Sequence, residues 1–174
     1  YWANLHEGKM RAHLFTDVDE PSRTPKLGYL WRGLRDSTQY YDEDVRRLML
    51  NYRQAFFSLG YYYTEVEREP LKFAGVLDRM DHVIPRRVRE MPVAMKFDIG
   101  LFYQRAGRKE AMEEYMNEIV EELKPVVESR SPQRLAQDNP YLVLLNAYQL
   151  LGRYSEADQL LDVILNVYRS EPGV

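Results

Sequence analysis

One short pattern occurs three times in the chain and constrains its fold more than any other feature. In each copy a tyrosine follows a small or apolar pair within three or four residues, at a spacing of about 40 to 45 residues between copies. The copies are Leu59-Gly60 with Tyr63, Ile99-Gly100 with Tyr103, and Leu144-Leu145 with Tyr148. Gly107 and Gly152 each stand four residues beyond their tyrosine. This recurrence predicts a stacked array of helical hairpins, a class of protein that usually binds rather than catalyses.

The composition limits what such an array can do. The chain has 174 residues, of which 45% are hydrophobic, so it can bury the core of one domain. A formal net charge of -3 gives no electrostatic basis for binding nucleic acid, and the absence of cysteine excludes disulfides and thiol chemistry. Because the sequence begins at Tyr1 rather than at methionine, we expect it to be part of a longer protein.

The first 40 residues show no sustained period and carry most of the early glycine and proline residues. They predict loops with at most one short helix, near Glu7 to Leu14. Large aromatic residues are frequent here, and a disordered tail rarely contains so many. We therefore predict that residues 1–40 form an arm that packs on a helical-repeat domain of residues 41–174.

Four residues of the arm and its junction are candidate anchors. They are Trp31, Arg32, Tyr40 and Tyr41, which directly flank the first predicted long helix. Aromatic rings combined with arginine are typical of buried anchor points, and equally of contacts to carbohydrate or peptide. We interpret them as fastening the arm to the first hairpin.

Apolar residues at three- and four-residue steps predict a helix from Asp42 onward. Proline marks the expected start of later helices, at Pro70, Pro92 and Pro140. Pro125 is expected to kink or end the second helix of the middle hairpin, and residues 129–139 are expected to form a polar connector.

The hairpins resemble the tetratricopeptide repeat. Phe56-x2-Leu59-Gly60-x2-Tyr63 fits the opening of that pattern, with phenylalanine in the usual place of tryptophan. The third hairpin matches at Tyr141, Leu144, Tyr148, Gly152, Tyr154, Glu156 and Ala157. The middle hairpin departs from it, with Ala111 one residue early, and all repeats exceed the usual length. The predicted fold class is all-α, with about three antiparallel tetratricopeptide-like hairpins and an irregular, aromatic-rich N-terminal arm.

A second resemblance covers nearly the whole chain. It is carried by Tyr29–Leu34, Tyr40–Glu43, Arg46, Tyr52-Arg53 and Glu7–Arg11. These residues look like the soluble C-terminal region of a family of bacterial multi-spanning membrane proteins. The membrane part of that family is similar to protein O-mannosyltransferase-type glycosyltransferases. The resemblance implies a periplasmic or extracytoplasmic location, tethered to the inner membrane in the full-length protein, with transferase chemistry and a partner surface in that membrane part.

The sequence itself offers little support for catalysis. There is no G-x-S-x-G nucleophile motif, and the three histidines are scattered. A metal cluster of His6, His13, Asp17 and Asp19 would match no ligand spacing that metal sites use. We predict no catalytic residue, no cofactor and no metal for this chain, and rank a small soluble enzyme last.

The tetratricopeptide resemblance implies a groove lined by the first helix of each pair. The groove positions are Phe57, Tyr61, Thr64, Phe97, Leu101, Gln104, Leu142, Asn146 and Gln149. About half are apolar or aromatic, and a large exposed apolar strip usually signals a protein or peptide partner. Two alternatives remain open: that these residues complete the core, and that the arm covers part of the groove.

The last helix has apolar residues around most of its circumference: Leu160, Leu161, Val163, Ile164, Leu165 and Val167. A terminal repeat normally needs a polar outer face. This helix is therefore expected to contact another chain, as in a homodimer, or the rest of the parent protein. The leading prediction is a non-catalytic interaction domain that docks a protein acceptor or partner, and the alternative is a structural or dimerisation module without a ligand.

Overall fold

The structure, a computed structural model, describes residues 5–129 and 139–170, with the backbone alone from residue 167. Within these ranges every regular element is a helix, which confirms the all-helical class. The helices are α1 (Glu7–Phe15), α2 (Glu43–Glu65), α3 (Pro70–Val83), α4 (Val93–Arg105), α5 (Lys109–Glu128), α6 (Pro140–Leu150) and α7 (Tyr154–Ser170). Most of the predicted connector at 129–139 lies outside the described residues.

The chain divides between Met91 and Pro92 into two compact units. The first contains α1 to α3, together with the described part of the predicted arm. A bridge between Asp17 and Tyr29 closes a surface loop in this arm. The second unit contains α4 to α7. No helix in the described part of the chain has the length and apolarity needed to cross a membrane.

Three helices, α2, α3 and α6, begin at residues whose local chemistry favours a helix start. Asp42 accepts a hydrogen bond from the Val45 backbone N–H (2.9 Å) and so caps α2. Asn139 caps α6 in the same way through Tyr141 N–H (2.9 Å). Pro70 lies at the first position of α3, where its missing N–H costs nothing. These starts agree with the sequence patterns.

In the second unit, a glycine follows the end of α4 and another follows the end of α6. Gly107 and Gly152 adopt φ angles of 72° and 70°, a left-handed conformation that other residues reach only with strain. In both turns the N–H after the glycine donates back to the signature tyrosine, which satisfies a carbonyl that the helix end leaves open. The bonds are Arg108 N to Tyr103 O (2.9 Å) and Arg153 N to Tyr148 O (2.8 Å).

The corresponding turn of the first unit has no glycine. Arg68 carries the positive φ instead, at 61°. Glu69 N–H closes the turn by donating to Tyr63 O (2.9 Å). An L-residue in this conformation costs about 1 kcal/mol or more, so this turn stores strain that the turns at Gly107 and Gly152 avoid.

Two glycines allow the hairpin helices to approach closely. A Cβ atom at Gly60 would overlap the ring of Phe73 on α3, and one at Gly100 would overlap the terminal methyl group of Met116 on α5. Farther from the turn that joins α4 and α5, Lys96 on α4 pairs with Glu122 on α5 (2.7 Å). The two helices therefore run antiparallel. The three signature tyrosines are all buried.

Pro125 is expected from the sequence to kink or to end α5, and the expectation that it ends the helix is wrong. The helix does not end there, because α5 continues to Glu128. Ser129 N–H donates to the Pro125 carbonyl (3.1 Å), so the last turn remains hydrogen-bonded. Proline removes one N–H near the helix end, and the remaining turn tolerates that loss.

Candidate interaction surface

The predicted groove positions of the second unit lie on neighbouring helices, since α6 packs against both α4 and α5. On α4, Phe97, Leu101 and Gln104 recur at i, i+4 and i+7 and therefore share one face. Leu142, Asn146 and Gln149 repeat the spacing on α6. These two sets are called the α4 and α6 stripes below.

Both stripes are accessible to a partner. Phe97 and Leu101 are half-buried, and Gln104 is exposed. Leu142 is 41% exposed, and both amides of the α6 stripe are exposed. Each stripe therefore combines apolar surface with carboxamide groups that donate and accept hydrogen bonds.

Asp98 lies next to the α4 stripe and adds a carboxyl group. Burial of that carboxyl raises the pKa of Asp98 above its ordinary value of 3.8, and the charge of Arg105 opposes the shift. The residue as a whole is nevertheless exposed. A partially desolvated carboxylate at the edge of an exposed stripe is suited to a hydrogen-bond donor on a bound segment.

The corresponding positions of the first unit are used differently. Phe57 is 5% exposed, and its ring lies 6.2 Å from that of Phe73. Tyr61, half-buried, lies 5.8 Å from the same ring. Thr64 donates its hydroxyl to the Gly60 carbonyl within α2 (3.2 Å). Phe57 thus belongs to the core between α2 and α3, the alternative that the sequence leaves open.

Trp31 is the central aromatic contact between the arm and α2. It is 7% exposed, with ring centroids 5.5 Å from Tyr52 and 5.8 Å from Phe56. Tyr29 packs edge-on against both Trp31 (5.3 Å) and Tyr52 (5.4 Å). Such edge-to-face pairs stabilise beyond the area they bury.

The other three candidate anchors differ from one another. Tyr41 lies beneath the guanidinium group of Arg89, 4.3 Å from the ring centroid. Tyr40 is 84% exposed, and Arg32 is also exposed. Of the tyrosine pair, Tyr41 therefore makes the cation–π contact and Tyr40 presents its ring to solvent.

Guanidinium groups that the sequence reasoning did not assign hold the first unit together. Arg53 is 1% exposed and donates to the carbonyls of Arg89 (2.6 Å) and Glu90 (2.8 Å). Arg89 in turn donates to the Asp36 carbonyl (2.7 Å), and Arg35 donates to the His82 carbonyl (2.8 Å). The place of Arg53 on the apolar stripe of α2 indicates that its side chain is buried, whereas no pattern in the sequence indicates which groups accept its hydrogen bonds.

The signature tyrosine of the first unit also anchors α1. Its hydroxyl donates to the Glu7 carboxylate. Burial, reinforced by the hydrogen bond to Glu7, raises the pKa of Tyr63 to about 12. Tyr63 therefore stays a neutral hydrogen-bond donor at neutral pH, which keeps the contact between α1 and α2.

The last helix presents an apolar stripe to solvent. Tyr154, Leu161 and Leu165 lie close together around the axis of α7 and are 68%, 37% and 49% exposed. Val163, which is 39% exposed, lies on another side. Leu160 faces the core, and the side chain of Val167 lies outside the described residues.

The residues considered for a metal site are distributed over different contacts. His6 and His13 line a cleft beside α1, whereas Asp17 pairs with Arg79 on α3. In the described ranges no three histidine or acidic side chains gather closely enough to hold a metal ion.

Comparison with known proteins adds no relative from which a function could be transferred. No family model, no curated protein and no solved structure matches the chain. A functional proposal therefore depends on the geometry described above and on the patterns in the sequence.

Proposed function

We propose that this chain is a tetratricopeptide-like interaction module that binds a protein or peptide segment along the α4 and α6 stripes. The observation that carries the proposal is the packing of α6 against both helices of the preceding hairpin. Helical-repeat proteins stack in this way and bind along the first helices. The buried signature tyrosines and the close-packed Gly60 and Gly100 support the same relationship.

The stripes suit an extended peptide. Gln104, Asn146 and Gln149 are exposed carboxamides, and each can both donate to and accept from a peptide main chain. Phe97, Leu101 and Leu142 supply apolar surface for alternate side chains of the same segment. Main-chain hydrogen bonds would then provide affinity, and the apolar positions would provide selectivity.

The place of the module in a larger protein is also part of the proposal. The resemblance of Tyr29–Leu34 and Tyr40–Glu43 to the tail of glycosyltransferase-like membrane proteins supports a periplasmic or extracytoplasmic module, tethered to the inner membrane by its parent. There the module would dock an acceptor protein beside the membrane part. This assignment gives the chain itself no reaction to catalyse.

Peptide selection with a matched variant tests the binding surface. Peptides selected on the intact chain are titrated against the double variant Asn146→Ala/Gln149→Ala. We expect affinity to fall at least about tenfold, because two hydrogen-bonding groups are lost. Gln159→Ala, which removes an exposed amide from α7, should leave affinity unchanged. Equal effects of the double variant and the control would refute the proposed surface.

The alternative function is dimerisation through α7, favoured by the exposed stripe of Tyr154, Leu161 and Leu165. A second copy could bury this stripe in a two-fold contact. Analytical ultracentrifugation of the chain should then detect a dimer that Leu161→Glu dissociates. A strict monomer at high concentration would exclude this role and leave the peptide surface unaffected.

A further inference from the structure

A cleft of about 380 Å³ opens in the first unit between α1, Tyr29 and α2. Its polar wall consists of His6, Lys9 and His13. Met10, Leu14 and Ala55 form an apolar wall. The volume falls in the lower part of the range of small-molecule sites, about 300–1,000 Å³. The cleft belongs to the first unit, whereas the α4 and α6 stripes belong to the second unit.

The three nitrogen-bearing side chains form a row. His6, Lys9 and His13 follow one another at steps of three and four residues, so they occupy one face of α1. None of the described residues that line the cleft is acidic. The carboxylates of Glu7 and Asp17 have other partners, since Glu7 accepts from Tyr63 and Asp17 pairs with Arg79.

Backbone hydrogen bonds determine which imidazole nitrogen carries the proton. The N–H of Lys9 donates to Nδ1 of His6 (3.5 Å), and the N–H of Gly28 donates to Nδ1 of His13 (3.3 Å). A ring nitrogen that accepts a hydrogen bond carries no proton, so each neutral imidazole has its hydrogen on Nε2. Both histidines, like the Lys9 ammonium group, are therefore hydrogen-bond donors through their remaining nitrogen.

We propose that this cleft binds a small organic oxyanion, a phosphate monoester or a carboxylate. The Lys9 ammonium group and the Nε2–H groups of His6 and His13 hold the anionic oxygens through charge-assisted hydrogen bonds. The ring of Tyr29 and the apolar wall contact the organic part of the ligand. This site is additional to the peptide surface and does not depend on it.

Histidine side-chain signals provide a direct test in the intact chain. Inorganic phosphate and acetate are titrated separately at constant ionic strength, and the imidazole ¹H–¹⁵N correlations are followed. We expect saturable shifts for His6 and His13 with at least one of the two anions, and the anion that saturates identifies the class. His82, on α3, does not line the cleft and serves as the internal reference. Non-saturating shifts of all three histidines with both anions would overturn the proposal.

Two variants distinguish the cleft from a general charge effect. Lys9→Gln should weaken binding at least about fivefold, since it removes the ammonium group from the cleft lining. His6→Asn removes the Nε2 donor but leaves a residue that caps helices well, so it should weaken binding without unfolding α1. Lys124→Gln makes the same charge change on α5 and should have no effect. An equal loss of affinity in Lys124→Gln and Lys9→Gln would refute the site. Unchanged binding in Asn146→Ala/Gln149→Ala would support its independence from the peptide surface.

Discussion

The two units share the tyrosine signature but differ in how far the predicted groove positions are enclosed. In the first unit, Phe57 is enclosed against α3, and the arm brings Trp31 onto α2. In the second unit, the equivalent stripes of α4 and α6 keep exposed amides and apolar side chains. The signature tyrosine is buried in both units. Whether the neighbouring positions stay available for binding depends on how far they face the partner helix, as Phe57 faces Phe73 on α3.

The largest effect is expected from removing the aromatic centre of the arm. Trp31→Ala should lower the free energy of unfolding of the first unit by about 3–5 kcal/mol, because a large buried ring is replaced by a cavity. Amide hydrogen exchange should show the loss in α1 and α2 but not in α4 to α7. The matched change Tyr40→Ala removes a ring that is 84% exposed and should cost less than about 0.5 kcal/mol. Similar losses in both variants would mean that the arm does not depend on Trp31.

The two close-packed glycines should respond unequally to the same substitution. Gly60→Ala places a methyl group against the rigid ring of Phe73 and should cost about 1–3 kcal/mol. Gly100→Ala meets the flexible end of Met116, which can move aside, so the cost should be below about 1 kcal/mol. Urea denaturation followed by circular dichroism measures both. A larger loss for Gly100→Ala would contradict the assigned contacts.

The strained turn of the first unit offers a stabilising change. Arg68→Gly should raise stability by about 0.5–1 kcal/mol, since glycine adopts positive φ without steric cost. The exposed pair of Arg68 with Glu65 (3.6 Å) contributes little and should not offset the gain. Thermal melting detects the change. Gly152→Ala, the reverse substitution in the second unit, should lower the melting temperature, and a rise there would refute the explanation.

The smallest effect concerns Asp98 and depends on pH. Its raised pKa means that the folded state disfavours the charged carboxylate, so the stability from this group is present below 3.8 and is lost as pH rises through the folded pKa. Asp98→Asn should therefore be slightly more stable than the parent at neutral pH, by less than about 0.5 kcal/mol. Unfolding measured at neutral pH and again below pH 3.8 should show the difference shrinking in acid. A difference that grows in acid would contradict the sign.

Local signals in the sequence were sufficient for most helix boundaries. Asp42, Pro70 and Asn139 act through chemistry within one turn of their own positions, and Gly107 and Gly152 end helices by a conformation that depends on no distant residue. The same reasoning could not specify the turn at Arg68, because its positive φ is imposed by the hairpin rather than preferred by arginine.

Contacts between residues far apart in the chain could not be predicted from the sequence. The acceptors of Arg53 are 36 and 37 residues away in the chain, and no local pattern indicates them. Tyr40 and Tyr41 are adjacent and chemically identical, yet only the latter lies under Arg89. For the binding surface, the periodicity of α4 and α6 indicates which residues share a face, and exposure depends on which segments cover it.

Three arginines of the first unit bind main-chain acceptors. The guanidinium groups of Arg53, Arg89 and Arg35 donate hydrogen bonds to main-chain carbonyl oxygens. Every amino acid supplies such an oxygen, whatever its side chain. The exposed side chain of Glu90 could consequently be exchanged while the hydrogen bond from Arg53 persists. Asp36 is different, because its carboxylate also accepts hydrogen bonds from the backbone N–H and the hydroxyl of Thr38. Position 90 could therefore carry new surface chemistry without a change in the contact that Arg53 makes.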